Sequence, residues 1–134
     1  MLLHALMPTS RANGPGLRTV VFFQGCKLHC VGCWNPNSHS FHGEDIEFED
    51  IVQEVLQAHA EHSLEGITFS GGEPMQQADS LLGLMNSLCR QAPHLSFGMF
   101  SGYTEHELDH GQYWIWRDGG SEQRRERLWR EIRA

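Results

Sequence analysis

Three cysteines lie close together in the segment GCKLHCVGCWNP, at positions 26, 30 and 33. This spacing lets one loop present three thiolates to a single metal centre, and thiolates are the usual protein ligands of iron–sulfur clusters. In a four-iron cubane each thiolate binds a different iron, so three thiolates leave one iron without a protein ligand. A small molecule that carries both an amine and a carboxylate could chelate that iron. The loop therefore predicts a four-iron four-sulfur cluster with one open coordination site.

A second motif, FSGGEP at residues 69–74, follows a short apolar run. Its two glycines let the backbone approach a ligand without a side-chain clash, and Glu73 adds a carboxylate that favours a nearby cation. Ligands collect at the carboxyl ends of parallel strands, so this segment is a candidate small-molecule site. The same letters would suit an ordinary strand-to-helix turn, and it is the cysteine loop upstream that favours a ligand.

The two motifs must be positioned by strands and helices, and the apolar pattern predicts where these lie. Residues 19–24, 66–70 and 95–101 are short apolar runs typical of strands. Between them, residues 48–59 and the segment after Pro74 have apolar positions at helical spacing. These positions are Ile51, Val52, Val55 and Leu56 in the first helix, and Leu81, Leu82, Met85, Leu88 and Cys89 in the second. On this stripe Cys89 is expected to be a buried small hydrophobe.

Strands that alternate with helices predict an α/β fold with a parallel sheet and right-handed crossovers. The 134 residues amount to one domain. We therefore expect a single domain over residues 1–134, with its core at about residues 10–103, followed by an aromatic and arginine-rich segment at residues 104–134.

That last segment holds the aromatic run at residues 113–116 and six of the ten basic residues of the chain. We expect a short helix over residues 104–108, core packing or a lid for the aromatic run, and a helix that begins near Ser121. Glutamates alternate with the arginines of this helix, which favours a solvated surface over a docking face for an acidic partner.

The combined pattern RANGPGLRTVVFFQGC and CVGCWNP resembles the radical S-adenosylmethionine (SAM) superfamily. Within that superfamily it is similar to the activating proteins of anaerobic ribonucleotide reductase. Most of the superfamily has an aromatic residue directly before the last cysteine, whereas this chain has Gly32 there and Trp34 and Asn35 after the cysteine. The reductase-activating branch shares that arrangement. The resemblance extends from about residue 10 to residue 103.

The resemblance implies a truncated, partial (β/α) barrel of the radical SAM type, with helices outside a short parallel sheet. It implies one 4Fe-4S cluster held by Cys26, Cys30 and Cys33, with SAM on the open iron. Gly71 and Gly72 would contact the SAM amino group through the backbone, and Glu73 would help to orient it. The full set of SAM-binding residues carried over from the family is Gly71, Gly72, Glu73, Pro74, Trp34, Asn35 and Ser101.

The activity implied by the resemblance is the reductive cleavage of SAM to methionine and a 5'-deoxyadenosyl radical, with no catalytic residue beyond the cluster and SAM. The implied substrate is a glycine of a large anaerobic ribonucleotide reductase, and the implied electron donor is a flavodoxin or ferredoxin. Two alternatives stay open. One is a radical SAM enzyme that acts on a peptide or small metabolite. The other is a non-catalytic iron–sulfur accessory protein, because strands beyond the end of this chain complete the SAM pocket in relatives.

Composition limits the classes of partner and the cellular location. A net charge of -7 disfavours binding to nucleic acid. No apolar run approaches the ~20 residues that cross a bilayer, and MLLHALMPTS lacks the basic flank of a secretory signal, so we expect a cytoplasmic protein.

The cysteine spacing also allows a disulfide between Cys26 and Cys30, or a zinc site that one of the nearby histidines completes, namely His29, His39 or His42. The zinc site leaves FSGGEP unexplained.

Metal analysis of anaerobically prepared protein separates these alternatives. We expect about four irons per chain, matching sulfide, and a broad visible band that bleaches on reduction, because three thiolates hold a cubane. A single colourless zinc ion per chain would contradict the cluster.

Overall fold

A computed structural model describes residues 1–28, 40–117 and 120–134 of the chain. Within these ranges four strands form one open sheet in the order β1-β2-β3-β4. The strands are β1 (Leu3–Ser10), β2 (Arg18–Phe23), β3 (Gly66–Gly71) and β4 (Ser96–Met99). The helices are α1 (Phe48–His62), α2 (Ala78–Gln91), α3 (Glu105–Asp109) and α4 (Glu122–Arg133), and a 3₁₀ turn at Pro74–Gln77 precedes α2. None of the helices in the described part of the chain is long and apolar enough to span a lipid bilayer.

The three predicted strands are present and pair in parallel, with Phe22 opposite Ser70 and Phe69 opposite Met99. The parallel pairing predicted for these three strands is confirmed, and the sheet as a whole is mixed, because a fourth strand that was not predicted, β1, pairs with β2 in the antiparallel direction. Nothing in the sequence had marked β1 as a strand. All eight of its residues are half-buried or exposed, and it contains Pro8, so it lacks the buried apolar run of β2 and β3. Such a composition is typical of an edge strand.

One face of the sheet packs against α1 and α2. Val21 and Phe23 of β2 and Ile67 and Phe69 of β3 belong to the buried core on this face. From α1 the core receives Ile51, Val52 and Val55, and from α2 it receives Leu81, Leu84 and Leu88. The helical stripes predicted from sequence are thus largely confirmed, with Leu56, Leu82 and Met85 half-buried at their margins.

The predicted burial of Cys89 is wrong, because this side chain is exposed. The buried residues of α2 are centred on Leu81, Leu84 and Leu88. Since successive residues of a helix are about 100° apart, Cys89 points away from the stripe that Leu88 continues.

The C-terminal segment follows the predicted pattern. Thr104 and Glu107 form a reciprocal capping box at the start of α3, and the Ser121 side chain caps α4 by accepting the N–H of Arg124. In the aromatic run, Tyr113 and Ile115 are buried in the core, whereas Trp114 and Trp116 are half-buried. Core packing is therefore confirmed for alternate residues of the run.

A buried arginine ties three strands together at the end of the sheet opposite to the cysteine loop. Arg18 lies at the start of β2 and is 2% exposed. Its guanidinium donates to the Thr68 hydroxyl at 2.8 Å and to the carbonyl of Ile67 at 3.0 Å on β3. It also donates to the carbonyl and the hydroxyl of Ser96 on β4, at 3.1 and 3.0 Å. One side chain thus fixes the amino ends of β2, β3 and β4 relative to one another.

We expect the substitution Arg18→Leu to lower the free energy of unfolding by about 2–4 kcal/mol, because it removes the donor to the buried Ile67 carbonyl and Thr68 hydroxyl of β3. Chemical denaturation monitored by circular dichroism measures this change. Arg90→Leu, in the exposed last turn of α2, is the control and should stay within about 0.5 kcal/mol of the wild type. Equal losses in the two variants would contradict the role of Arg18.

Candidate functional site

Cys26 lies just beyond the carboxyl end of β2 and is 8% exposed. The preceding Gly25 has φ of +114°, a conformation that glycine adopts without strain. The other predicted residues of this loop, which are Cys30, Cys33, Trp34 and Asn35, fall in residues 29–39 and lie outside the described part of the chain. Two histidines of the alternative zinc site, His29 and His39, fall there as well. The structure therefore places the first cysteine of the predicted cluster site and leaves the rest of the loop as a prediction.

The turn after β3 holds the backbone that leads to Cys26. The N–H of Gly72 donates to the carbonyl of Phe23 at 2.8 Å, and the N–H of Glu73 donates to the carbonyl of Gly25 at 2.9 Å. A Cβ atom on Gly72 would collide with the Gly25 carbonyl, so only glycine allows this close approach. The two motifs singled out in the sequence thus lie against each other. The sequence pattern predicts that these glycines contact a ligand. In the structure Gly72 also contacts the backbone that leads to Cys26.

Two glutamines of the 3₁₀ turn before α2, which the sequence argument did not single out, also bind the cysteine loop. Gln77 donates to the carbonyl of Gln24 at 2.9 Å and also pairs with both backbone groups of Leu2. Gln76 accepts the N–H of Lys27 at 2.9 Å. Both glutamines are at most 2% exposed. Polar residues in a turn ordinarily suggest a solvated surface, so the sequence held no signal for this role.

Glu73 joins the turn after β3 to the segment after β4. Its carboxylate accepts the N–H of Gly102 at 2.7 Å, the hydroxyl of Ser101 at 2.9 Å and the N–H of Met75 at 2.9 Å. The side chain is 1% exposed. Burial raises the pKa of Glu73 above its ordinary value, and the hydrogen bonds from Gly102, Met75 and Ser101 oppose that rise. Two of the predicted ligand-binding residues, Glu73 and Ser101, are therefore in direct contact.

An aromatic wall made of Phe41, Trp114 and Trp116 flanks the start of the cysteine loop. The ring of Phe41 lies 5.2 Å from that of Trp114 and 5.8 Å from that of Trp116. The ammonium group of Lys27, next to Cys26, lies 4.0 Å from the centre of the Trp114 ring. Arg117 stacks over Trp116 and pairs with Asp45 at 2.9 Å. An apolar shell of this kind limits the access of water to a metal centre.

The described residues fit an iron–sulfur cluster in the chemistry of their donors. A buried thiol at a strand end, fixed by backbone hydrogen bonds and followed in the sequence by two more cysteines, supplies the thiolates that such clusters bind. Gly71, Gly72 and Glu73 lie at the same edge of the sheet, with Ser101 beside them. This edge therefore brings Cys26, the first predicted cluster ligand, together with four of the residues predicted to bind a small molecule.

Residues 12–119 match the family described as the 4Fe-4S single cluster domain. The chain is also 33% identical over 109 residues to the pyruvate formate-lyase-activating enzyme of Clostridium pasteurianum. It is 32% identical over 118 residues to the anaerobic ribonucleoside-triphosphate reductase-activating protein of Vibrio cholerae, and 31% identical over 111 residues to that of Haemophilus influenzae. The chain belongs to the radical SAM activase family, in which an iron–sulfur cluster is the cofactor.

The matches differ in how much of each relative they cover. The alignment with the Clostridium enzyme takes in 78% of this chain but 46% of the relative, so the chain spans about half of that protein. The alignment with the Vibrio protein takes in 84% of this chain and 75% of the relative, and the corresponding shares for the Haemophilus protein are 78% and 70%. The chain therefore covers a larger share of the two reductase-activating proteins than of the Clostridium enzyme.

The raised pKa of Glu73 predicts a dependence of stability on pH. Because burial raises this pKa, the folded chain retains the Glu73 proton at pH values where the unfolded chain has released it. The contribution of Glu73 therefore favours the folded state below its ordinary pKa of 4.5 and is lost as the pH rises through the folded pKa. Glu73→Gln removes this titration. We expect the stability of the wild type relative to Glu73→Gln to fall as the pH rises from 4.5 through the raised pKa of Glu73.

Thermal unfolding of both proteins across this pH range measures the difference. Exposed Glu61→Gln, in the last turn of α1, is the control and should follow the wild type. A relative stability that increases with pH would show that the hydrogen bonds to the carboxylate outweigh its burial.

Proposed function

We propose that this chain is a radical SAM enzyme that generates a glycyl radical on an anaerobic ribonucleotide reductase. The observation that carries the proposal is the contact between the two motifs, in which the turn of Gly72 and Glu73 binds the backbone on the amino side of Cys26. Two relatives that are named as activating proteins of anaerobic ribonucleoside-triphosphate reductase support the choice of partner, since the chain covers at least 70% of each.

In this proposal Cys26, Cys30 and Cys33 hold one 4Fe-4S cluster. Bound together, the cluster and SAM supply the one-electron cleavage of SAM to methionine and a 5'-deoxyadenosyl radical, which takes a hydrogen atom from the glycine. The chain supplies binding and orientation. The N–H groups of Gly72 and Glu73 already donate hydrogen bonds within the chain. The backbone carbonyls of Gly71 and Gly72 are therefore the groups that accept hydrogen bonds from the SAM ammonium in this proposal.

Glu73 acts in this proposal by its charge and by the segment that it holds. Its ionised carboxylate, at most 1% exposed, places a negative charge just behind the glycine turn, which attracts the ammonium of SAM. The same carboxylate fixes Ser101 and the N–H of Gly102. Pro74, Trp34 and Asn35 complete the proposed SAM site, with the last two in the part of the loop that is not described.

A protein substrate suits the open sheet of the proposed partial barrel. In the described residues the sheet ends at β4, so one side of the site has no covering strand. Met7 of β1 and Phe100, which follows β4, are 43% and 57% exposed, and they are the exposed large hydrophobic residues in this part of the chain. These two residues lie at opposite margins and do not form one contiguous patch, so the support for a protein substrate is the open edge beyond β4. A flavodoxin or ferredoxin is the proposed electron donor.

A second candidate substrate is pyruvate formate-lyase. The Clostridium relative and one from Staphylococcus epidermidis, each 33% identical, are named as its activating enzymes. The chain covers only 46% and 41% of these relatives, which is why we place this substrate second.

The test combines the reduced, cluster-loaded chain with SAM and each candidate partner, under anaerobic conditions and with dithionite as the reductant. We expect 5'-deoxyadenosine to form and a glycyl radical signal to appear in the electron paramagnetic resonance (EPR) spectrum of the ribonucleotide reductase. Cys26→Ala should lose at least about 100-fold in both readouts, because it removes a ligand of the cluster. Cys89→Ala, which removes the exposed cysteine of α2, should match the wild type.

The two readouts distinguish the alternatives. Formation of 5'-deoxyadenosine with a radical only on pyruvate formate-lyase would select the second candidate. Cleavage of SAM without a radical on either partner would point to a peptide or small-metabolite substrate. No 5'-deoxyadenosine above background from an intact cluster would refute the proposed activity and favour a non-catalytic accessory protein.

A further inference from the structure

The side-chain amide of Gln76 lies between the segment that carries Cys26 and the segment that carries Tyr103. Its Oε1 accepts the N–H of Lys27 at 2.9 Å, and its Nε2 donates to the hydroxyl of Tyr103 at 2.7 Å. Its backbone carbonyl accepts the N–H of Trp116 at 2.7 Å. Gln76 is 1% exposed, so water does not compete for these bonds.

The contacts of this amide fix its orientation. The N–H of Lys27 can only donate, so the atom that faces it must be the amide oxygen. The amide nitrogen then faces the Tyr103 hydroxyl, whose oxygen also accepts the N–H of Trp114 at 3.3 Å. The Tyr103 hydroxyl therefore binds the amide nitrogen of Gln76, and the amide oxygen stays directed at the N–H of Lys27.

The N–H of Lys27 is the backbone donor that directly follows the first predicted ligand of the cluster. Hydrogen bonds to the sulfurs are among the factors that set the reduction potential of an iron–sulfur cluster. A donor near these sulfurs stabilises the additional negative charge of the reduced cluster, and so raises the potential. In this chain that donor is bound by Gln76 instead.

We infer that Gln76 is a positioning residue that lowers the reduction potential of the cluster by engaging the Lys27 N–H, so that this donor contributes less to the stabilisation of the reduced cluster. A low potential suits the reduction of a sulfonium, and in this respect the inference rests on the proposed function.

The variant Gln76→Met tests this inference, because methionine has a similar length and offers the Lys27 N–H no comparable acceptor. Wild type and variant are loaded with cluster anaerobically and titrated with dithionite, and the reduced cluster, which has taken up one electron, is followed by EPR. We expect the midpoint potential of Gln76→Met to rise, so that the ratio of reduced to oxidised cluster at a fixed potential increases about threefold or more. An unchanged or lower midpoint would overturn the inference.

Gln76→Glu is the conservative variant. It keeps an oxygen for the Lys27 N–H and adds a negative charge, so its midpoint should equal that of the wild type or lie below it. A rise in Gln76→Glu would overturn the inference. If Gln76→Met fails to retain iron, Gln76→Leu, which also offers the Lys27 N–H no acceptor, is titrated in its place; a raised midpoint supports the inference and an unchanged or lower one overturns it.

Thr68→Val is the matched control for a general loss of stability. Thr68 is 2% exposed and makes buried hydrogen bonds with Arg18 and the carbonyl of Asn13, at the opposite end of the sheet. We expect this variant to melt at a lower temperature without a shift in midpoint potential. A rise as large as that of Gln76→Met would show that destabilisation alone moves the potential, and would overturn the inference.

This experiment separates the inference from the proposed function. A cluster whose potential shifts as expected, in a chain that forms no 5'-deoxyadenosine, would keep the role of Gln76 and remove the proposed activity. If the wild-type chain activates the reductase but Gln76→Met leaves the midpoint potential unchanged, the proposed function stands and the role of Gln76 is refuted.

Discussion

The geometry of the candidate site depends on one set of hydrogen bonds, those between residues 72–77 and the backbone around Cys26. These bonds join the N–H groups of Gly72 and Glu73 and the side-chain amides of Gln76 and Gln77 to backbone groups on both sides of Cys26, namely those of Phe23, Gln24, Gly25 and Lys27. Because the glutamines and Glu73 are buried, each unmade bond would leave a polar group without water, which costs about 1–3 kcal/mol. The end of β2 therefore has one favoured arrangement, and the first cysteine is held in place by the chain itself.

The same turn reaches the other parts of the site. Glu73 binds Ser101 and Gly102 beyond β4, and Gln76 binds Tyr103 and Trp116. The cysteine loop, the glycine turn, the segment after β4 and the aromatic run are thus connected through one short 3₁₀ turn. Buried polar networks of this kind specify a unique arrangement when every member has a partner. This explains how loops from distant parts of the sequence can form a rigid site at one edge of a small sheet.

Apolar periodicity was sufficient to predict β2, β3, α1 and α2, because each buries a continuous face against the others. It failed for β1, whose half-exposed residues leave no periodic signal, and for Cys89, which lies one residue past the end of the buried stripe. The cysteine spacing and the GGEP letters identified the candidate site. Sequence could not reveal Gln76 and Gln77, because their role comes from tertiary partners up to 75 residues away, and an amide has no spacing pattern that announces such a partner.

The clamp formed by Arg18 has a consequence at the far edge of the sheet. With only four residues, β4 forms few ladder hydrogen bonds of its own, and a slip of one residue would turn every side chain that follows it to the opposite face. Arg18 opposes such a slip by binding both the carbonyl and the hydroxyl of Ser96. The alignment of Ser101 with Glu73 is therefore set partly from the other end of the strand. A substitution at the amino ends of the strands can thus alter the candidate site at their carboxyl ends.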